Sequence, residues 1–150
     1  MMTKREYCEL AGKYSAMGLN CAQSLLLAFR DKTGMDEATC CGVASGLGGG
    51  VRCGGICGAI TGPVMVLGML YPHTMENGGE GKAYSAKLTK EFERRFAEQF
   101  GYINCRELLA EKDMKPTPMA AELEITGHCT TLIVSAAELL FDMLEELEKE

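Results

Sequence analysis

The sequence predicts an all-α fold: one compact domain of six to seven helices spanning residues 1–150, with a glycine-rich loop ahead of a central apolar helix. Three observations predict it. Apolar residues recur at helical spacing in the longer segments, helix start and stop signals bound most of them, and no stretch alternates with the period of a strand. With 47% hydrophobic and 24% charged residues, the 150-residue chain has the composition of a globular domain and enough length for a core.

Thr3 and Glu6 form a capping-box pattern that opens a first helix to about Met17, where Gly18 stops it. Asn20-Cys21-Ala22-Gln23 opens a second, through the Leu25-Leu26-Leu27 run to Phe29 and on to Gly34. Asp36 caps a third, running to about Leu47. Seven glycines then fall between Gly46 and Gly58, where positive φ and close backbone approach cost little strain. The loop lacks the Gly-Lys-Ser/Thr of a phosphate loop and no strand precedes it, so nucleotide binding ranks low. An apolar helix follows from about Gly58 to Leu70, in which Pro63 is expected only within the first turn.

Tyr71 to Gly81 reads as a loop, with Glu76 and Glu80 facing solvent. From about Lys82 to Phe100 an amphipathic helix lines up Leu88, Phe92, Phe96 and Phe100 as a core stripe, and Gly101 ends it. Asn104-Cys105-Arg106-Glu107 starts a short helix, and Lys115-Pro116-Thr117-Pro118 marks a loop. The last helix begins near Gly127-His128-Cys129; Leu132, Ala136, Leu139, Leu140, Met143 and Leu147 trace its apolar face.

A net charge of −6, with no Lys/Arg run, argues against nucleic acid as a partner. The apolar stretch Cys57–Tyr71 is too short for a bilayer and is interrupted by Gly58, Gly62, Pro63 and Gly68; it suits a central helix or a homodimer contact. The N-terminus becomes charged too early for a secretory signal, so a cytoplasmic protein with reduced thiols is expected. No hydrolase triad or carboxylate pair demanding acid–base work stands out.

The cysteine count, eight, is the most informative number in the composition. Cys21, Cys57, Cys105 and Cys129 each fall at or beside the start of an expected helix. Unpaired N–H groups and the positive end of the helix dipole favour thiolate over thiol there. Two of the four share a signature, Asn20-Cys21-Ala22-Gln23 and Asn104-Cys105-Arg106-Glu107, read as an Asn cap with a capping-box partner. Cys8, Cys40 and Cys41 lie inside helical patterns and read as small buried side chains. Cys53 is ambiguous: across Cys53-Gly54-Gly55-Ile56-Cys57 it is placed for a local disulfide or as a fifth ligand.

Cys57-Gly58-Ala59-Ile60-Thr61-Gly62 matches a CGAxxG motif, with Asn20-Cys21-Ala22-Gln23-Ser24, Gly48-Gly49-Gly50, Asn104-Cys105-Arg106 and Cys129 in order around it. In this the chain resembles the C-GCAxxG-C-C family of proteins described as redox-active, over nearly its whole length. The resemblance implies that Cys21, Cys57, Cys105 and Cys129 are the family's four characteristic cysteines. It also implies a helical domain of the kind found fused to split-Soret cytochromes. Without a Cys-x-x-Cys-His sequence, covalent haem is not expected here.

Three chemistries fit four thiolates. First is an iron–sulfur cluster, most simply [2Fe–2S], held by Cys21, Cys57, Cys105 and Cys129 with Gly58 allowing close backbone approach; its ligands are dispersed, unlike common ferredoxin spacings. Second is thiol–disulfide exchange through a pair containing Cys57, with Cys21 or Cys53 as its partner, although no Cys-x-x-Cys is present. Third is zinc, to which His73 or, with a slight edge beside Cys129, His128 would contribute. In each case the expected contact is a redox partner protein or a small-molecule oxidant or reductant.

Overall fold

The computed structural model describes residues 2–150, and among these it is helical with no strand. The helices are α1 (Lys4–Ala16), α2 (Cys21–Ala28), α3 (Arg30–Thr33), α4 (Glu37–Val43), α5 (Gly58–Leu70), α6 (Gly78–Phe100), α7 (Cys105–Ala110), α8 (Pro118–Glu122) and α9 (His128–Glu148). The all-α expectation is correct. Two short helices, α3 and α8, carry too few residues for periodicity to reveal them.

The chain's own caps set most boundaries. The Thr3/Glu6 capping box closes reciprocally at α1, with Glu6 N–H donating to Thr3 Oγ1 at 3.2 Å and Thr3 N–H to Glu6 Oε1 at 3.1 Å. The Asp36 carboxylate accepts from Thr39 N–H at 2.7 Å to start α4. That helix stops at Val43, short of the expected Leu47, and Ser45–Leu47 continues as a 3-10 turn. α6 begins four residues earlier than expected, at Gly78, because Asn77 bridges the preceding turn by accepting from Thr74 N–H and donating to the Pro72 carbonyl. Pro63 sits in the second turn of α5, not the first, and removes the bond to the Ala59 carbonyl. Burial on several sides holds the helix together across that gap.

α5 is the central helix. It packs against α2, α6 and α9, and Ala59, Ile60, Val66 and Leu67 are buried. Leu25, Leu26 and Leu27 of α2 are buried too, each contributing about 1.5–3 kcal/mol relative to exposure. The stripe Leu88, Phe92, Phe96, Phe100 faces the same core. α9 closes the bundle against α1; its Leu132, Ala136, Leu140 and Met143 are buried, while Leu139 and Leu147 pack at the edge. No described helix is long and apolar enough to cross a membrane.

One polar group inside this core is unanticipated by the sequence. Glu138 of α9 is buried, accepting from Met119 N–H at 2.9 Å and facing Lys4 at 3.7 Å. It satisfies the start of α8 and thereby ties that short helix to α9.

Candidate functional site: four cysteines at four helix starts

Each of the four cysteines is placed by a helix start. Cys21 is the first residue of α2, whose capping box closes: Gln23 N–H donates to Asn20 Oδ1 at 2.8 Å and Asn20 N–H to Gln23 Oε1 at 3.0 Å. The Asn20 amide reaches on to the Ala44 carbonyl at 3.0 Å and Gln23 Nε2 to the Cys41 carbonyl at 2.9 Å, anchoring that end of α2 against α4. Cys57 is itself the N-cap of α5, and its sulfur accepts from Ala59 N–H at 3.4 Å. Cys105 is the first residue of α7 and Cys129 the second of α9.

The second copy of the Asn-Cys signature behaves differently from the first. Asn104 makes no side-chain cap bond to the backbone; its amide donates instead to Glu107 Oε1 at 3.0 Å. Cys105 N–H donates to the Gly55 carbonyl at 2.7 Å, and Cys57 N–H to the Ile103 carbonyl at 2.9 Å. This two-bond bridge around Ile56 and Asn104 clamps the residues before α5 to those before α7. It brings Cys57 and Cys105 to one place from nearly fifty positions apart in sequence.

The motif glycines explain how Cys21 arrives there as well. A methyl group on Gly58 would stand 2.8 Å from both Ala22 N and Cys21 Cβ. On Gly62, one turn later, it would meet Ala22 O and Leu25 Cβ at 3.0 Å. Glycine at both positions therefore lets α5 lie directly on the first turn of α2. The four-residue spacing of Gly58 and Gly62 is the sequence signal for this contact.

The Cys21 thiol stands close enough to Cys57 and Cys129 for both to bear on its ionisation. Cys105 stands close enough to feel the charges of Cys57 and Cys129 without sharing a hydrogen bond with them. The shared proton separates the thiols. Bonds to Cys129 and Cys57, with burial, push Cys21 far up, so it keeps its proton. The bond from Cys21 brings Cys129 down to about 6, helped by the His128 charge, and brings Cys57 down against its own burial. Burial raises Cys105. Cys57 is buried, Cys21 and Cys105 are half-buried, and Cys129 is exposed. All eight cysteines are free thiols.

The other candidate residues take varied places. Cys8 and Cys40 are fully buried, bonding the carbonyls of Val134 at 3.6 Å and Leu26 at 3.8 Å, as core side chains. Burial pushes Cys8 up to about 12 and raises Cys40. Cys53 is exposed, its thiol turned to the Gly50 carbonyl at 3.3 Å. His73 is exposed beyond the C-terminal end of α5, a 13-residue helix about 20 Å long that begins beside Cys57. His128 adjoins Cys129, and its Nε2 is buried with no hydrogen-bond partner.

That orphaned nitrogen has company. Ser24 Oγ and Thr61 Oγ1 are also buried without partners, one turn after Cys21 and Cys57 on the same helix faces. Three orphaned polar atoms thus lie beside or one turn from a site cysteine. As the side chains stand, no three His, Cys, Asp or Glu among the described residues form an arrangement for a metal ion.

The glycine tract forms the rim. Gly49, Gly50, Val51 and Arg52 have φ of 61°, 62°, 59° and 59°, a single left-handed turn. Gly50 must be glycine, since a Cβ there would fall 2.4 Å from Gly55 O. Val51 and Arg52 adopt the same φ at a cost of about 1–2 kcal/mol each. Arg106 of α7 donates to the Cys53 carbonyl at 3.1 Å and pins the turn. Neither arginine was singled out by the sequence, because unpaired charge at a rim leaves no periodic trace.

The family described as "Putative redox-active protein (C_GCAxxG_C_C)" matches residues 19–143. No curated protein and no solved structure matches the chain.

Proposed function

The chain belongs to the C_GCAxxG_C_C family of redox-active proteins, and from that premise we propose that Cys21, Cys57, Cys105 and Cys129 are its redox site and hold an iron–sulfur cluster, most simply [2Fe–2S]. The observation that carries this reading is the convergence of helix starts: the Cys105–Gly55 and Cys57–Ile103 backbone bonds join two of them, and the close approach of Gly58 to Cys21 adds a third.

The donor set suits the group. Four thiolates are the usual ligands of such a cluster, which when bound supplies one-electron transfer. A single ion asks all its donors to meet at about 2.3 Å around one point, whereas a binuclear cluster spreads four sulfurs over two metals. The helix starts of α2, α5, α7 and α9 direct N–H groups and positive dipole ends at the sulfurs, offsetting anionic charge and tuning potential. Ser24, Thr61 and His128 offer further polar atoms without protein partners.

A second reading rests on the exposure of Cys129 and its contact with Cys21. In it the Cys129 thiolate attacks an external disulfide and expels one thiolate, which takes up a proton. Cys21 then loses its proton and displaces the second thiol, closing a Cys21–Cys129 disulfide as the external disulfide is reduced.

The test is an absorption spectrum of protein purified without oxygen, with iron, sulfide and zinc quantified on the same sample. Bands between roughly 320 and 460 nm, with iron and sulfide in matching amounts, are expected. Cys57→Ser should abolish them, while Cys8→Ser should leave them intact. Equal loss from both substitutions would overturn the four-cysteine assignment. Colourless, metal-free protein would replace the cluster with the dithiol reading, and zinc alone would replace both.

A further inference from the structure

We propose that the left-handed turn at 49–52, together with the first turn of α7, is a docking surface for the acidic face of a redox partner protein. The inference rests on the redox reading of the adjacent cysteines and adds to it the route of approach.

The chain as a whole is acidic, with a net charge of −6. Two exposed arginines stand at the rim. Arg52 and Arg106 are both exposed, and neither is in an ion pair among the described residues. Arg5, Arg94 and Arg95 are each held by glutamates, while Arg30 of α3 is likewise exposed and outside any ion pair among the described residues. Arg52 and Arg106 differ from Arg30 in meeting at one turn. Arg52 lies against Gly48 at its start, and Arg106 against Gly54 at its end. The carboxylate of that α7 turn, Glu107, is engaged by the Asn104 amide.

Next to Arg52 in the turn stands Val51, 53% exposed, with a φ of 59° that a β-branched residue rarely adopts. An apolar tip within a cationic rim is the arrangement of a protein contact; a bare anion has no use for the valine. Two unpaired charges beside an exposed apolar side chain favour an acidic surface at this face. The surface is also wired to the site. The backbone of Gly55, next to the turn, accepts the Cys105 N–H, and Arg106 follows Cys105 directly. A partner seated on Val51 would stand over the segment that carries Cys57 and Cys105.

Two experiments test this without requiring a bound cofactor. In the first, Cys53, which lies within the rim and is exposed, reports the local potential. Its alkylation by anionic iodoacetate is compared with that by neutral iodoacetamide, mapped by peptide mass. Both reagents attack the same thiolate, so their ratio isolates the field. The ratio should fall on the order of fivefold in the Arg52→Gln/Arg106→Gln double variant. An unchanged ratio overturns the proposal.

In the second, the whole protein is titrated with an acidic ferredoxin as the protein probe, at about 20 and about 200 mM salt. A saturable complex is expected, weakened about tenfold or more by the added salt and lost in Arg52→Glu/Arg106→Glu and in Val51→Asp. Absence of a complex, or one indifferent to both arginines, overturns the docking surface. Because neither readout uses the cluster, a cofactor-free protein that passes both would sink only the iron–sulfur reading.

Discussion

Gly58 and Cys21 stand so close that a single added methyl on the glycine would lie 2.8 Å from the cysteine's Cβ. The motif that carries Cys57 thus also brings Cys21 up to it, since the residue after Cys57 is the one that must have no side chain. The atoms on the far side include backbone, Ala22 N, which cannot turn away as a flexible side chain would.

Gly58→Ala should therefore lower stability by about 1–3 kcal/mol through overpacking and separate Cys21 from Cys57. Gly68→Ala, on the same helix with nothing within 4 Å, should be neutral or stabilise by about 0.5–1 kcal/mol. Urea unfolding of the two variants checks the contrast. Equal effects would mean that α2 and α5 do not meet through Gly58.

In metal-free protein, Cys129 should be alkylated before the other site cysteines, with a rate that rises through a midpoint near its value of about 6. It is exposed, and the Cys21 thiol donates to it. Removing that donor with Cys21→Ala should move the midpoint upward, toward an ordinary thiol. Cys8, buried and pushed up to about 12, should not react until the protein unfolds. Iodoacetamide labelling followed across pH reads all three, and a midpoint unmoved by Cys21→Ala would refute the shared proton.

Acid should weaken the ion-pair network along α6. The Arg94 and then the Arg95 guanidinium hold the Glu91 carboxyl down at about 2, and Arg95 also reaches Glu146 of α9. A depressed carboxyl stabilises the fold above its unfolded value of 4.5, and that contribution is lost as pH falls from 4.5 towards 2. Glu91→Gln should flatten the loss of stability in that window and change little at neutral pH beyond a modest, salt-screened decrease. Denaturation midpoints across the window decide it. A variant as acid-sensitive as the parent would contradict the pairing.

The rim turn stores strain that a substitution can release. Val51→Gly should stabilise the protein by about 1–2 kcal/mol, because glycine tolerates φ of 59° and the valine does not. Glycine's greater freedom in the unfolded chain offsets part of that gain. A lower melting temperature in the variant would show that Val51 is held by packing rather than against its preference.

Helix composition and caps were legible in the sequence because they are local. Thr3/Glu6, Asn20/Gln23 and Asp36 lie within three residues of the donors they satisfy, and the Leu88–Phe100 stripe follows from helical period alone. The position of four cysteines at helix starts was legible for the same reason. The tertiary structure alone decided how those starts are joined. Asn104 repeats the Asn20 pattern yet makes no backbone cap; its amide bonds the Glu107 side chain, and that helix start is tied to a distant loop through Cys105 N–H and the Gly55 carbonyl. Pro63 rides inside α5 because packing around that helix outweighs one missing bond. Arg52 and Arg106 become a cationic rim only when the left-handed turn folds against α7. Local hydrogen bonds and periodicity are written in neighbouring residues. Convergence, proton sharing among three thiols and the sign of a surface patch depend on contacts between segments that sequence spacing does not encode.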